Sequence, residues 1–513
     1  MSRVKRFAHS LASGYLLQVV NMLYTLASVP LALHYLTRAE FGLWAVTTQI
    51  AGYITLIDAG MTNAAVRILI DHKDDRAGGA YGGVIKTSLL VGTVQGGLVL
   101  LIGTLLALAG GALLHVPMDL RKSFTGLLLG LSLLTGISFT LRSFANVPAA
   151  HQRFDISNFA QIVLFGLALP GMWLGFAFGL GVFALLVAQA TLVLGAALIN
   201  VTACVWLKLL PGRGQWGRAS WAQFKELFAF GRDVFAMGVG WQFINTSQTI
   251  LLTRFLGLDV AAVWSVCTRT YNALTVLVWR ILDYAEPALA EMMVRGERDR
   301  LLRRFREVAV LVASLAVLAG TLFAVCNGPF VQLWTNGKIH WSPVNNLLLA
   351  AWFCCFTLSR THSAFAVLTK QFGFLRFVYL VEGLAFIALN LLFLRWGSVT
   401  LMLVFSILCT LSFSLPYCWW RTAGYFNVRQ RELAGWYGPA WQLAWRLAPV
   451  AAAIWWLSRD WPLKWQLAVN AALPGLWGAI ALFRYGLSKS LRTDIVERTP
   501  LWAKNALKQL GAV

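Results

Sequence analysis

The sequence is poor in charged residues. Asp, Glu, Lys and Arg make up only 12% of its 513 residues, whereas 58% are hydrophobic and the mean hydropathy is +0.66. Soluble globular proteins carry about 25% charged residues. This composition excludes a soluble enzyme, a nucleic-acid-binding module and a secreted disulfide scaffold. Because lipid offers the backbone no hydrogen-bond partner, the apolar runs predict an all-α polytopic membrane protein.

The sequence also lacks any pattern typical of a metal or cofactor site. Its seven cysteines form no C-x-x-C pair, and the seven histidines have no spacing suited to zinc. Most of the cysteines lie within apolar runs, so we interpret them as small hydrophobic side chains. We predict that the protein carries no cofactor and no metal.

The apolar runs are long enough for about fourteen transmembrane helices, since one span needs about 20 residues. The predicted spans are 11–36, 42–69, 86–113, 124–147, 156–178, 181–207, 229–256, 260–290, 307–332, 344–369, 376–395, 398–420, 440–458 and 465–486. We divide them into an N-terminal lobe (1–220), a C-terminal lobe (221–439) and a segment of two additional spans with a basic cytoplasmic tail (440–513).

Positive charge is distributed unevenly between alternate loops. Of 43 Lys and Arg residues, 28 fall in the set that includes both termini and seven fall in the other set. Cytoplasmic loops carry the excess of Lys and Arg, so both termini are predicted to be cytoplasmic. The same bias accounts for the net charge of +22 without nucleic acid.

The predicted loops are short. The longest cytoplasmic ones have about 20 residues, and the first outer loop is 37–41. Membrane glycosyltransferases that use lipid-linked sugars, and O-antigen ligases and polymerases, need a large outer loop. The protein is therefore predicted not to be an enzyme.

A polar pattern repeats in the two halves of the chain. Gly14, Gln18, Asn21 and Thr25 recur 224 positions later as Gly238, Gln242, Asn245 and Thr249. Transporters are commonly built from two such halves. Six spans per half imply parallel repeats, hence two pseudo-symmetric six-helix lobes around a central cleft plus two C-terminal helices.

On each repeated helix the polar residues fall within an arc of about 80°. Such a stripe is typical either of helix–helix hydrogen bonding or of the lining of a water-filled cleft. We favour the cleft because the stripe is long and occurs twice. The predicted cleft-lining residues are Gln18, Asn21, Thr25, Gln242, Asn245 and Thr249.

Charged residues within spans are costly and therefore informative. Arg269, Arg280 and Arg360 are predicted to bind an anionic substrate, with Arg142 a weaker candidate. The alternative for Arg280 is a structural pair with Asp283.

Asp58 and Asp283 are the candidates for ion coupling. For Asp58, a structural pair with Arg142 or Arg67 is the alternative. Glu286 and Glu382 are predicted to lie near the inner surface and are assigned no role.

One stretch is similar to a known family. Residues 35–44 (YLTRAEFGLW), followed by Tyr53, Asp58-Ala59-Gly60 and Arg67, resemble the start of the bacterial polysaccharide flippases, which handle O-antigen and exopolysaccharide precursors. These belong to the multidrug/oligosaccharidyl-lipid/polysaccharide exporter superfamily. The match departs at Asp58-Ala59-Gly60-Met61, where relatives often read more like D-L-G-L.

The resemblance implies a flippase of the bacterial inner membrane. Its substrate would be an undecaprenyl-pyrophosphate-linked oligosaccharide, moved from the cytoplasmic to the periplasmic leaflet by alternating access with ion coupling. Implied partners are membrane lipids and the proteins of polysaccharide polymerisation and export. Two alternatives remain: a drug/cation antiporter of the same superfamily, and a non-transporting scaffold of a polysaccharide-assembly complex.

Overall fold

The computed structural model describes residues 3–58, 60–72, 79–151, 153–369, 373–488 and 490–493, and this part of the chain is almost entirely helical. Its α-helices are α1 (Arg3–Tyr35), α2 (Arg38–Ile54), α3 (Met61–His72), α4 (Ala80–Leu113), α5 (Arg121–Leu141), α6 (Ser143–Ala150), α7 (Phe154–Ala177), α8 (Phe183–Trp206), α9 (Trp221–Asn245), α10 (Ser247–Leu256), α11 (Leu258–Val294), α12 (Arg298–Trp334), α13 (Pro343–Leu368), α14 (Leu375–Phe393), α15 (Val399–Ser412), α16 (Ser414–Phe426), α17 (Gln430–Trp436), α18 (Gly438–Ser458) and α19 (Leu463–Ala481).

The prediction of an all-α polytopic membrane protein is confirmed. Within the described ranges, nine helices are long and apolar enough to cross a membrane. The count of about fourteen crossings stays a prediction. Most of the predicted basic tail, from residue 494 onward, lies outside the described residues.

Helices α4 and α5 show how the spans pack. Leu90, Val94 and Leu101 of α4 are more than half exposed, as expected for a face in contact with lipid. The opposite face is rich in glycine, and a Cβ atom on Gly96 would lie only 2.6 Å from the carbonyl oxygen of Gly136. Small residues let the two backbones approach closely, which stabilises helix pairs where no hydrophobic effect drives association.

Three predicted spans contain an interruption of the helix. The interruptions lie at 55–58, Thr246 and Phe413, within the predicted spans 42–69, 229–256 and 398–420. At the first of them the chain forms a 3₁₀ turn, Thr55–Asp58, and Gly60 then adopts a φ of +72°. Asp58 therefore lies at a break in the helix and not in the middle of a continuous span.

A glycine turn separates the predicted spans 156–178 and 181–207. Helix α7 ends at Ala177, α8 begins at Phe183, and the turn between them contains Gly179 and Gly181 with positive φ values of 76° and 52°. Glycine adopts this left-handed conformation without the steric cost that other residues incur.

The chain divides into two compact units, Met1–Ser265 and Val266–Val513. The interior of the first includes Tyr81, Val84 and Val147. The second has an aromatic core around Phe305, and its helices α18 and α19 pack against α12. The division follows compactness and not the sequence repeat, so the lobe boundaries at 220/221 and 439/440 remain predictions.

Candidate functional site

The first unit contains an ion pair beside a helix break. Arg142, between α5 and α6, places its Nη1 atom 2.7 Å from Oδ1 of Asp58. The hydroxyl group of Thr62, at the start of α3, donates to the same carboxylate oxygen at 2.8 Å and accepts a hydrogen bond from Arg142. Of the two structural partners considered for Asp58, the structure brings Arg142 into contact; the side chain of Arg67 lies outside the described residues.

Neighbouring side chains hold both ends of this pair in place. Gln95 of α4 donates to the carbonyl oxygens of Ile57 and Asp58, at 2.8 and 3.2 Å, and so caps the end of the 3₁₀ turn. The Arg142 guanidinium also stacks on the ring of Phe139, 3.8 Å from its centroid. The adjoining cavity measures about 20 Å³, which is room for about one water molecule. A second cavity, of about 290 Å³, also borders Arg142, and the role of Arg142 in substrate binding stays a prediction.

In the second unit, Asp283 of α11 pairs with Arg360 of α13. The Nη2 atom of Arg360 lies 3.6 Å from Oδ1 of Asp283, and its guanidinium faces the ring of Trp279 at 5.9 Å. The contact involves Arg360, not the Arg280 considered in the sequence analysis. Both side chains are partly exposed, by 29% and 49%, so the pair is open to solvent or ligand.

Helix α11 has one polar face. Arg269, Asn272 and Asp283 are exposed and Arg280 is half-buried, whereas Val278 and Leu282 on the other side are buried. Two arginines on one accessible face give this helix a cationic surface. We call Arg269, Arg280, Arg360 and Asp283 the arginine face.

The two polar stripes differ in their surroundings. On α1, Asn21 is exposed and Gln18 and Thr25 are half-buried, and the Thr25 hydroxyl donates to the Asn21 carbonyl oxygen at 2.9 Å. On α9 and α10, the helix is interrupted at Thr246, and Thr249 is 3% exposed.

Two residues of the second stripe, Gln242 and Asn245, form hydrogen bonds within the first unit. The carbonyl oxygen of Gln242 accepts a hydrogen bond from the Tyr53 hydroxyl at 3.1 Å, and Asn245 donates to the Trp241 carbonyl oxygen at 3.0 Å. Thr249 contributes to helix packing, whereas the stripe on α1 keeps exposed polar groups. The assignment of all six residues to a cleft stays a prediction.

The stretch 35–44 has two structural features that we did not predict from the sequence. Thr37 and Glu40 form a capping box at the start of α2, with the Glu40 carboxylate accepting from the Thr37 backbone N–H at 2.8 Å. Gly42 lies against the backbone of Leu258, where a Cβ atom would come within 2.0 Å of the carbonyl oxygen. The T-x-x-E pattern is the signal that would have indicated the capping box.

The fold is similar to that of known transporters. It matches the lipid II flippase MurJ in an inward closed conformation with a TM-score of 0.62, at 11% identity, covering 91% of this chain and 99% of MurJ. A MATE family multidrug resistance transporter matches with TM-scores of 0.57 in its inward-facing and 0.53 in its outward-facing conformation. Identities there are 13% and 14%, with 79% and 82% of this chain and 95% and 96% of the transporter covered.

These likenesses define the class of fold, which this chain shares with the flippase and with the MATE transporter. The chain belongs to the polysaccharide biosynthesis protein family, whose model matches residues 8–293, more than half of the sequence. The predicted membership is thereby confirmed. No curated protein sequence is a significant match to this chain.

Proposed function

We propose that the protein moves a polyprenyl-pyrophosphate-linked oligosaccharide from the cytoplasmic to the periplasmic leaflet of a bacterial inner membrane. It does so by alternating access, with both termini in the cytoplasm and with ion coupling. The observation that carries this proposal is the arginine face, in a chain that belongs to a polysaccharide biosynthesis family.

The arginine face suits a pyrophosphate group. Guanidinium groups bind phosphate oxygens through paired hydrogen bonds and remain charged when partly removed from water. Arg360 already has an anionic partner, Asp283, at 3.6 Å. A pyrophosphate that approaches this face would compete with Asp283 for Arg360, so substrate binding releases a carboxylate in the same step.

The second unit also offers an apolar site for a lipid tail. A cavity of about 490 Å³ is lined almost entirely by apolar side chains of α12, α13 and α18. An isoprenoid chain needs such a surface because it binds through apolar contacts alone. We therefore propose that α18, the first of the two C-terminal helices, helps to hold the tail while the head group crosses.

A drug/cation antiporter is the second candidate function, favoured by the likeness in fold to the MATE transporter. Such a protein needs accessible acids that attract cations. The arginine face carries three arginines and one aspartate, and its net positive charge would repel a cationic drug. The non-transporting scaffold is disfavoured by the exposed polar side chains of α1, because a scaffold needs no wet surface within the bilayer.

Deletion of the gene in the source organism tests the proposal. Surface polysaccharide should fall, and lipid-linked oligosaccharide should accumulate in the inner leaflet. Variants are then expressed in the deletion strain. The double variant Arg269→Ala with Arg280→Ala should not restore export. Arg446 is a half-buried arginine of α18 stacked on Tyr485, and the control variant Arg446→Ala should restore export. Unchanged polysaccharide together with new sensitivity to cationic drugs would instead identify an antiporter.

A further inference from the structure

Four helices of the second unit bring buried polar side chains together around one carboxyl group, that of Glu382 on α14. The Thr410 hydroxyl of α15 donates to Oε1 of Glu382 at 3.2 Å. The Ser359 hydroxyl of α13 donates to the Ser414 hydroxyl of α16 at 2.8 Å. All four residues are at most 1% exposed. Glu382 is therefore part of a closed polar layer in the interior of the protein, and its predicted depth near the inner side of the membrane stays a prediction.

The second oxygen of this carboxyl group, Oε2, is buried and has no hydrogen-bond partner among the described residues. The ionisable groups around it are Tyr379 on its own helix, Cys409 on α15 and Cys418 on α16. Arg360 of α13 interacts electrostatically with Tyr379, but it forms its ion pair with Asp283. In the described part of the chain, no cation pairs with Glu382.

The carboxyl group lies beside a helix interruption. Phe413 separates α15 from α16 with φ and ψ of −116° and −79°, and Ser414 is the first residue of α16. The hydroxyl and the backbone N–H of Ser414 both lie close to the Glu382 carboxyl group, but neither forms a hydrogen bond to Oε2. A negative charge there attracts these two donors and a neutral carboxylic acid does so less, so the charge state of Glu382 acts on the geometry of the break.

Helix α13 connects this layer to the arginine face. Ser359 bonds to Ser414 within the layer, and its immediate neighbour Arg360 contacts Asp283. Because Ser359 and Arg360 are adjacent, a shift of Ser414 relative to α13 would also change the position of Arg360 relative to Asp283. The connection consists of two adjacent residues on one rigid helix and needs no long pathway.

We propose that Glu382 is a proton-binding site of the second unit, and that its protonation controls the helix break at Phe413 and, through α13, the arginine face. A proton from the aqueous phase forms an O–H bond at Oε2 and converts the carboxylate to a neutral carboxylic acid. The reverse step returns the proton to water. The existence of this site is independent of the substrate; its role in coupling rests on the function proposed above.

The surroundings favour a proton over a metal cation. Hard cations need about six oxygen ligands, whereas the polar layer offers one carboxyl group and the hydroxyl groups of Thr410, Ser414 and Ser359, two of which are already bonded to each other. Within the described residues, no cluster of three or more His, Cys, Asp or Glu side chains could hold a metal. A proton needs no cavity. An unpaired negative charge in such a site is costly, and binding of a proton removes that charge.

Infrared difference spectroscopy on the full-length protein in lipid nanodiscs tests the site directly. Between acidic and alkaline pH, the wild type should show a carboxylic-acid C=O band at the high frequency typical of a buried, weakly hydrogen-bonded group. Glu382→Gln should lose this band. Glu432→Gln, an exposed acid of the same unit, is the matched control and should keep it.

A second variant covers the case in which Glu382→Gln fails to fold. Thr410→Val removes the donor to Oε1, and the band should shift to higher frequency and titrate at a different pH. A band that is unchanged in both variants would overturn the proposal. So would a band that responds to sodium at constant pH and loses that response in Glu382→Gln, because this result identifies a sodium site.

The spectroscopy needs no substrate, so the two proposals fail separately. Loss of the band in Glu382→Gln, with polysaccharide export unaffected by gene deletion, would retain the proton site and reject the flippase. Normal flippase behaviour without a Glu382 band would reject the proton site alone. If both proposals are correct, Glu382→Gln should also abolish the dependence of glycan export on the proton gradient.

Discussion

The two units place a carboxylate at a helix break in different ways. In the first, Asp58 is 24% exposed and is balanced by Arg142 at 2.7 Å. In the second, Glu382 is fully buried, accepts a hydrogen bond from Thr410 and has no cationic partner in the described part of the chain. A carboxylate paired with an arginine fixes the local structure. A carboxyl group surrounded by neutral donors can change its charge without leaving a counter-charge unpaired.

The largest effect is expected from breaking the pair in the first unit. Arg142→Ala leaves Asp58 without its counter-charge at a partly buried site, and should lower the free energy of unfolding by about 2–4 kcal/mol. Thermal unfolding of the purified protein in nanodiscs measures the change. The double variant Arg142→Ala with Asp58→Ala should recover part of this loss.

The matched control for Arg142 is Arg153→Ala in the same unit. Arg153 pairs with Asp155 at 3.0 Å but is 36% exposed, and exposed pairs contribute about 0–1 kcal/mol. If both variants cost the same, the break at Asp58 does not depend on its ion pair, and the contrast between the two units fails.

Neutral substitutes for the two acids compare the units most directly. Asp58→Asn keeps the shape but removes the charge that balances Arg142, and should cost about 2–3 kcal/mol. Glu382→Gln keeps the shape and removes no ion pair, so the cost should stay below about 1 kcal/mol. Unfolding temperatures of the two variants in the same nanodiscs provide the test, and a larger cost for Glu382→Gln would show that its ionised form stabilises the fold.

A smaller effect is expected at Gly42, where α2 touches the backbone of Leu258. The added methyl group of Gly42→Ala would lie 2.0 Å from a carbonyl oxygen, and the displacement should cost about 1–3 kcal/mol. Gly238→Ala is the control, since no atom lies within 4 Å of the position that its methyl group would take. In a helix interior this substitution should be neutral or stabilising by up to about 1 kcal/mol.

Hydropathy was sufficient to predict the helical class, because long apolar runs in lipid have no other stable backbone. It did not predict the interruptions. Thr246 and Phe413 carry no proline or glycine signal. Beside Thr246, the Ser247 hydroxyl donates to the Phe243 carbonyl oxygen, and serine hydroxyl groups that bond back in this way often bend helices.

Residue roles were harder to predict than the class. Arg142 was one of two partners considered for Asp58, and helical spacing alone could not distinguish them. Glu382 was assigned no role because sequence position indicates depth in a span but not which face of the helix is covered. Its burial depends on Thr410 and Ser414, which are contributed by helices that follow later in the chain.

The smallest expected effect distinguishes the two copies of the polar stripe. Asn21 is exposed on α1, whereas Thr249, in the repeated copy on α10, is 3% exposed. In a background without native cysteines, Asn21→Cys should react with a small aqueous thiol reagent several-fold faster than Thr249→Cys. Neither change should alter the unfolding temperature by more than a few degrees, because Asn21 is exposed and Thr249→Cys replaces the hydroxyl group by a thiol and removes only one methyl group. His340→Cys, at an exposed position in a predicted outer loop, serves as the fast reference in intact cells. Equal rates at positions 21 and 249 would mean that the buried position opens to water during the transport cycle, which would restore the symmetry of the two stripes predicted from the sequence.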